Sequence, residues 1–471
     1  MKSLALLLLT THVAFADPPD DAGSDVGSDK APAPAPAPDI IGPLRSAPPA
    51  GQSSSEPVAP TPAPVVVAPV IAPVVEPAPQ AAPTPPDRDA FILGAASGNS
   101  KIYIGGISQF DGRFFVDDNP DPGSDQFYFQ TLRIDLRGTV FDHYDFRFLP
   151  DFAGGKLVVQ DAYVDVRYSD AIKVRFGKTK VPFGLERLQN ETATTFAQRG
   201  LPNNLVPNRD LGVEIFGELA GGTFAYQLGI FNGVADGGSG DGDATNAKEG
   251  AARAFVRPWA RSNLWWLANL GVGVAATYGD KDANITQPDT PQWKTQGQTT
   301  IFQYIVGKTD TLADTVVADG LDWRATAQGY WYAGPLGLLA EYVRSTQHVV
   351  LNGTHDRVAA SAWQAIGQWV ITGEDATYNS VTPRERCGAF DVVGRVERIE
   401  LDSLQPFDAG YADPTKSVSG AWSGGVGVDW FANKAFRAVL DLERTWFERG
   451  AAAGADRPTE TSIEARVQLA F

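Results

Sequence analysis

Cysteine, methionine and histidine are nearly missing from this 471-residue chain, which holds one Cys, one Met and four His. The single Cys387 excludes an intrachain disulfide framework. With His12 inside the N-terminal apolar stretch, too few histidines remain for a histidine-built metal centre or a catalytic triad. Long apolar runs are lacking as well: the nearest, Leu264–Tyr278, is short, broken by glycines and interrupted by Asn269, whereas a transmembrane helix needs ~20 apolar residues. Excess positive charge is the last absence. Lys and Arg number 39 against 56 Asp and Glu, a net of −17, which argues against nucleic acid as a partner. No catalytic residue, metal ligand or cofactor is expected. The glycines of 271–279 have no βαβ context for a nucleotide, and the acidic stretch 236–243 misses the spacing of a calcium repeat and reads as a solvated loop.

What is present is glycine (48), aromatic residues (10%) and proline (34). The first 16 residues read as a secretory signal: Lys2, an apolar core from Leu4 to Leu9, and Ala14-Phe15-Ala16 before Asp17. Residues 17–90 form an Ala/Pro-rich segment without hydrophobic period, holding 20 of the 34 prolines. Such a stretch builds no core and favours extended polyproline II, with a reach on the order of 200 Å. It reads as a disordered periplasmic spacer, or as an arm that touches peptidoglycan or another periplasmic partner.

After Phe91 the texture changes to alternation. Leu132, Ile134 and Leu136 alternate with Arg133, Asp135 and Arg137; Tyr144, Phe146 and Phe148 with Asp145 and Arg147; Ala162, Val164, Val166 and Tyr168 with Asp161, Tyr163, Asp165 and Arg167; Ile172, Val174 and Phe176 with Lys173, Arg175 and Gly177. Period two with one apolar face means a sheet with one side in an apolar medium. Charges of both signs on the other face suit the water-filled interior of a transmembrane antiparallel β-barrel, with strands of ~10 residues. The last stretch, Thr461–Phe471, alternates the same way and ends in an aromatic residue, as terminal strands of bacterial outer-membrane proteins do.

Barrels of this class have short turns at the periplasmic end and long loops outside. Seventeen candidate strands can be counted, an odd number, and the weakest is Thr299–Val306. Absorbing it into one loop over 279–319 leaves about 16 strands over residues 91–471, with both ends in the periplasm. One periplasmic turn, Gly373–Cys387, is then oversized, and the basic stretch Phe176–Gly212 becomes the third outer loop. It carries Lys178, Lys180, Arg187, Arg199 and Arg209.

That stretch resembles the signature region of the phosphate-selective porin O/P family. The matching residues are Gly177, Lys178, Pro182 to Glu186 (PFGLE), Arg199, Leu201-Pro202-Asn203 and Arg209-Asp210-Leu211-Gly212, with weaker echoes at Gly334–Tyr342 and Val370–Tyr378. The resemblance covers 101–471. It implies a sixteen-stranded outer-membrane barrel, a homotrimer seated in outer-membrane lipid, that passes small anions such as phosphate. It also implies that the third outer loop, another loop and a turn fold into the lumen and narrow it.

An anion path needs Arg or Lys to replace lost hydration, and the planar guanidinium can bond two oxygens of one oxyanion. Alternation and loop position give the candidates: Arg133, Arg137, Arg147, Lys173, Arg175, Arg253, Arg257 and Arg324 on the inner wall, and Lys178, Lys180, Arg187, Arg199 and Arg209 at the constriction. Against them stand inward Asp135, Asp145, Asp161, Asp165 and Glu214. Beyond residue 90 the chain still holds 46 acids against 35 bases, so composition alone leaves the sign of the selectivity open. A secreted β-rich hydrolase with paired carboxylates, or a barrel-type surface receptor or adhesin without specific conductance, are the competing functions.

Overall fold

The computed structural model describes residues 91–94, 99–116, 123–242, 246–307 and 313–471. The signal and the proline-rich arm expected over 1–16 and 17–90 lie outside the described residues.

The alternating segments become strands. In chain order they are β1 (Phe91–Gly94), β2 (Lys101–Phe115), β3 (Gln126–Val140), β4 (Tyr144–Asp151), β5 (Val158–Ser169), β6 (Ile172–Lys180), β7 (Arg209–Leu219), β8 (Phe224–Phe231), β9 (Glu249–Val256) and β10 (Asn269–Asp282). The rest are β11 (Gln292–Lys294), β12 (Thr300–Gln303), β13 (Val317–Ala333), β14 (Leu336–Leu351), β15 (Thr354–Val370), β16 (Ala389–Leu401), β17 (Val418–Phe431), β18 (Phe436–Arg449) and β19 (Glu460–Ala470). Each of β2–β10 and β13–β19 pairs antiparallel with its chain neighbour, and β19 returns to β2. The result is a closed sixteen-stranded barrel. Closure leaves no edge strand, the condition for a sheet to sit in lipid. At the seam, Gly106 and Phe471 exchange backbone hydrogen bonds of 3.0 Å. The short β1 pairs beyond the seam with the first residues of β2.

Alternation orients the side chains as the sequence predicts. Leu132 and Ile134 are 38% and 50% exposed on the lipid side, while Arg133 and Asp135 between and beyond them are buried inside. Exposed aromatics mark the ends of the strands, including Trp369 and Trp430 at one end and Trp422 and Trp446 at the other.

Connections alternate between a short end and a long end. Residues 141–143, 170–171, 334–335 and 432–435 make tight turns at the periplasmic end, and the oversized turn there spans 371–388. The outer end carries the long connections 181–208 and 283–316. The weak strand candidate at Thr299–Val306 is indeed outside the barrel: β12 pairs only with β11, in a small hairpin inside the 283–316 loop. One outer connection breaks the rule by being tight. Asn352 and Gly353 both take positive φ (50° and 78°), which is what a two-residue Asn-Gly hairpin turn requires.

Apolar packing sits where loops meet the inner wall. Val181, Phe183, Leu201, Leu205 and Val206 of the 181–208 loop pack with Trp293, Ile301, Phe302 and Tyr304 of the hairpin loop. Leu185 and Phe196 pack with Tyr330, Tyr332 and the turn residues Tyr378 and Val381.

Candidate constriction and anion path

Beyond Lys180 the chain turns into the lumen and stays there until Arg209. Stiff elements shape it: a one-turn helix at Leu185–Leu188 and a 3-10 turn at Leu201–Leu205 with Pro202 in its first turn. Gly200 passes so close to the wall that a Cβ would collide with Gln364 and Glu397.

The wall of β14–β18 holds this loop by its backbone. Glu341 accepts from the Leu185 N–H at 2.7 Å, Glu397 from Leu201 at 2.8 Å and Asp441 from Ala197 at 2.7 Å. Arginines of the same wall take the loop's carbonyls: Arg395 donates to Gln198 O at 2.9 Å, and Arg437 to Thr194 O at 2.7 Å and Thr195 O at 3.1 Å. Within the loop, Glu186 accepts from Gly200 N–H and from Asn203. The periplasmic turn reaches in as well, its Tyr378 hydroxyl donating to Leu185 O at 2.6 Å.

The opposite face of the loop is basic. Glu191 lies at its centre, in an ion pair with Arg133 of β3, 3.5 Å from Arg209 and 3.8 Å from Arg199. Burial raises the Glu191 carboxyl, but Arg133, Arg209, Arg199 and Lys180 together pull it well below the usual carboxylate range. Lys180 donates to the carbonyls of Arg187 and Gln189 at 2.7 and 2.9 Å. Arg187 donates to Asn203 O at 3.0 Å, and its Nε has no partner. Burial, and after it the charges of Arg199 and Arg209, push the Arg187 guanidinium down to about 9, which leaves it charged at neutral pH. With Asp151 on Arg133 at 2.7 Å and Asp161 on Arg209 at 2.8 Å, three acids thus sit among five bases.

Between this face and the 283–316 loop lies a cavity of about 490 Å³. Its charged lining is Arg133, Arg187, Arg199, Lys294 and Arg466 against Glu191 and Asp236. The rest is mostly amide and hydroxyl side chains.

The expected path residues divide into groups. Arg133, Lys180, Arg187, Arg199 and Arg209 come together at the constriction. Arg137, Arg147 and Arg175 face the lumen but are paired: Arg137 with Asp135 at 3.2 Å, Arg147 with Asp135 and Asp161 at 2.9 and 3.0 Å, and Arg175 with Asp165 at 2.7 Å while stacking on Tyr163. Asp161 also takes Arg209 at 2.8 Å, which links the wall ladder to the loop. Lys173 lies toward the periplasmic end, 4.0 Å from Asp170, and Arg257 at that same end donates to Gly222 O. Arg253 stacks on Phe255 and donates to Gln227 at 3.1 Å.

Of the expected residues only Arg133, Arg187 and Arg199 line the cavity, and two others are held by the outer connection after β8. Lys178 turns to the outer connection after β8, where Asp241 takes its ammonium. Arg324 is enclosed by Asp236, Glu249 (2.6 Å), Thr277 (3.1 Å) and Val234 O (2.7 Å). Within 236–242 most residues are exposed or half-buried, as expected of a solvated loop, and Asp236 alone is buried. Asp236 is buried on Arg324, where it joins Glu249 around the guanidinium.

Sequence reasoning missed Glu191 as the hub, and Lys294 and Arg466 as lining. Arg466 sits on the inward register that alternation of the last strand already assigns. Nothing local marks Glu191 or Lys294.

Residues 101–471 match the family described as phosphate-selective porin O and P. No curated protein matches the sequence. Among solved structures, the outer membrane channel DcaP of Acinetobacter baumannii aligns with a TM-score of 0.52 at 11% identity, over 80% of this chain and 99% of that one. Outer-membrane expressed OmpT of Vibrio cholerae aligns with a TM-score of 0.51 at 11% identity, over 81% and 100%. At such identity the likeness is one of fold.

Proposed function

This chain belongs to the phosphate-selective porin O and P family, and from that premise we propose that it is an anion-preferring diffusion channel. It is a porin of the bacterial outer membrane, its apolar face set in lipid. The finer reading is passive passage of small anions, phosphate-like ones among them, past the 181–208 loop. The observation that carries it is the charge of the constriction: the chain is net −17, yet the cavity lining holds five bases and two acids. In a narrow, low-dielectric passage the nearest fixed charges outweigh distant ones, and those behind a Debye length of about 8 Å of electrolyte are screened.

In this reading Arg133, Arg187 and Arg199 meet the permeant ion. Arg209 and Lys180 add field and hold the loop, and the paired Arg137, Arg147 and Arg175 continue the basic track toward the periplasm. The functional unit is a homotrimer. Residues 1–16 serve as the signal and 17–90 as a periplasmic spacer whose contact is peptidoglycan or another periplasmic partner.

The test is the reversal potential of the reconstituted protein in a planar bilayer under a KCl gradient. Chloride preference is the expected outcome. Potassium preference overturns the anion reading, and absence of conductance favours a barrel-type receptor instead.

A further inference from the structure

The cavity at the constriction offers more than positive charge. A pocket for a bare oxyanion needs donors only, because such an ion presents acceptors. This one combines guanidinium donors (Arg133, Arg187, Arg199) with amides that both give and take hydrogen bonds: Gln130, Gln198 and Asn203. Gln130 is exposed to the space. Gln198 donates to the Tyr128 hydroxyl at 3.2 Å and accepts from Gln298 at a long 3.4 Å, which a ligand hydroxyl can replace. Two buried atoms in the lining have no partner, and they are of opposite kind: Arg187 Nε, a donor, and Asn203 Oδ1, an acceptor. Buried polar atoms are normally satisfied, so this unmet donor and acceptor mark a wall of mixed hydrogen-bonding character behind the accessible amides.

Size and charge narrow the class. A volume of about 490 Å³ lies within the range of small-molecule sites, ≈ 300–1,000 Å³, and is far more than one tetrahedral ion fills. Glu191 and Asp236 face the same space. They accept from hydroxyls but repel a second negative charge.

Resting on the anion-porin reading above, we propose that this cavity is a transient binding site for hydroxylated monocarboxylates, that is, sugar acids. The carboxylate faces Arg187 and Arg199, and the hydroxyls meet Gln130, Gln198, Asn203 and Glu191.

The experiment titrates the chloride current of the full-length reconstituted protein with gluconate, with hexanoate (the same charge and chain length without hydroxyls) and with phosphate. Gluconate is expected to halve the current at about a tenfold lower concentration than hexanoate, the factor that one or two net hydrogen bonds supply, and below phosphate as well. In the double variant Gln130→Ala with Gln198→Leu the gap between gluconate and hexanoate should shrink below about threefold. Heat-dependent gel migration verifies that this variant forms the barrel, and Gln130→Ala alone should give an intermediate gap. Equal block by gluconate and hexanoate, stronger block by phosphate, or a gap that persists in the double variant overturns the assignment. Failure here is separable from failure of the anion reading: chloride preference with equal block removes only the sugar-acid site, whereas potassium preference removes the reading beneath it.

Discussion

The two sides of the lumen spend their charges differently. On β3–β7 the charges are nearly balanced, nine bases against eight acids, and Asp135 and Asp161 bridge Arg137, Arg147 and Arg209 into a ladder that ends at the constriction. On β14–β18 the buried charged residues are six carboxylates, Glu341, Asp391, Glu397, Asp429, Asp441 and Glu443, with two arginines, Arg395 and Arg437. Three of those carboxylates accept backbone N–H groups of the 181–208 loop, and both arginines donate to its carbonyls. In the proposed anion channel the first wall forms the track for the ion, while the second holds the 181–208 loop. In that reading the negative total is a poor guide to the passage, because three of these buried acids point at loop backbone.

The largest way to break this contrast is on the holding wall. Arg395 has Glu186 at 3.7 Å, Glu397 at 3.5 Å and Glu443 in direct ion pair. Arg395→Leu leaves those buried carboxylates uncompensated, at a cost of about 3–5 kcal/mol. Its barrel should unfold at a clearly lower temperature by heat-dependent gel migration than the mirror-wall variant Arg137→Leu, and equal melting of the two would sink the division of labour.

Next comes the conducting face. Replacing Arg187, Arg199 and Arg209 together with Ala should cut the chloride-to-potassium permeability ratio by about threefold or more while conductance persists. An unchanged ratio would move the selecting charges to the vestibule.

The smallest effect concerns pH. Because Glu191 is depressed in the folded protein, its ion pairs are complete above the ordinary glutamate value of about 4.3 and fail only when pH falls through the depressed one. Arg187, lowered to about 9, keeps its charge below that. Reversal potentials should then be flat from about pH 5 to 8; a step in that window would put another titrating group on the path.

Much of this is legible in the sequence. Alternation assigned the inward face of β3–β6 residue by residue, since a period of two leaves each side chain only two choices. Connection length told the ends apart and exposed Thr299–Val306 as a false barrel strand. The inward loop came from a resemblance, not from periodicity. What stayed hidden was pairing across long stretches of chain: Leu185 with Glu341, Ala197 with Asp441, Lys178 with Asp241 and Arg324 with Asp236. Alternation shows that Arg324 faces inward, but not that two carboxylates enclose it there. Similarly, a carboxylate facing a lumen gives no local sign of whether it meets water, a base or a backbone N–H.

The anchoring of the 181–208 loop has a consequence for how the pore comes into being. Its partners on β14, β16 and β18 follow it in the chain by 156, 196 and 244 residues. Contacts of such separation form late, after the entropy of closing long segments has been met. The sheet can zip up through neighbouring hairpins, but the narrow point cannot be set until the last third of the chain is in place. The narrow point is therefore among the last features to form, and substitutions in the holding wall should leave the loop unseated in an otherwise closed barrel.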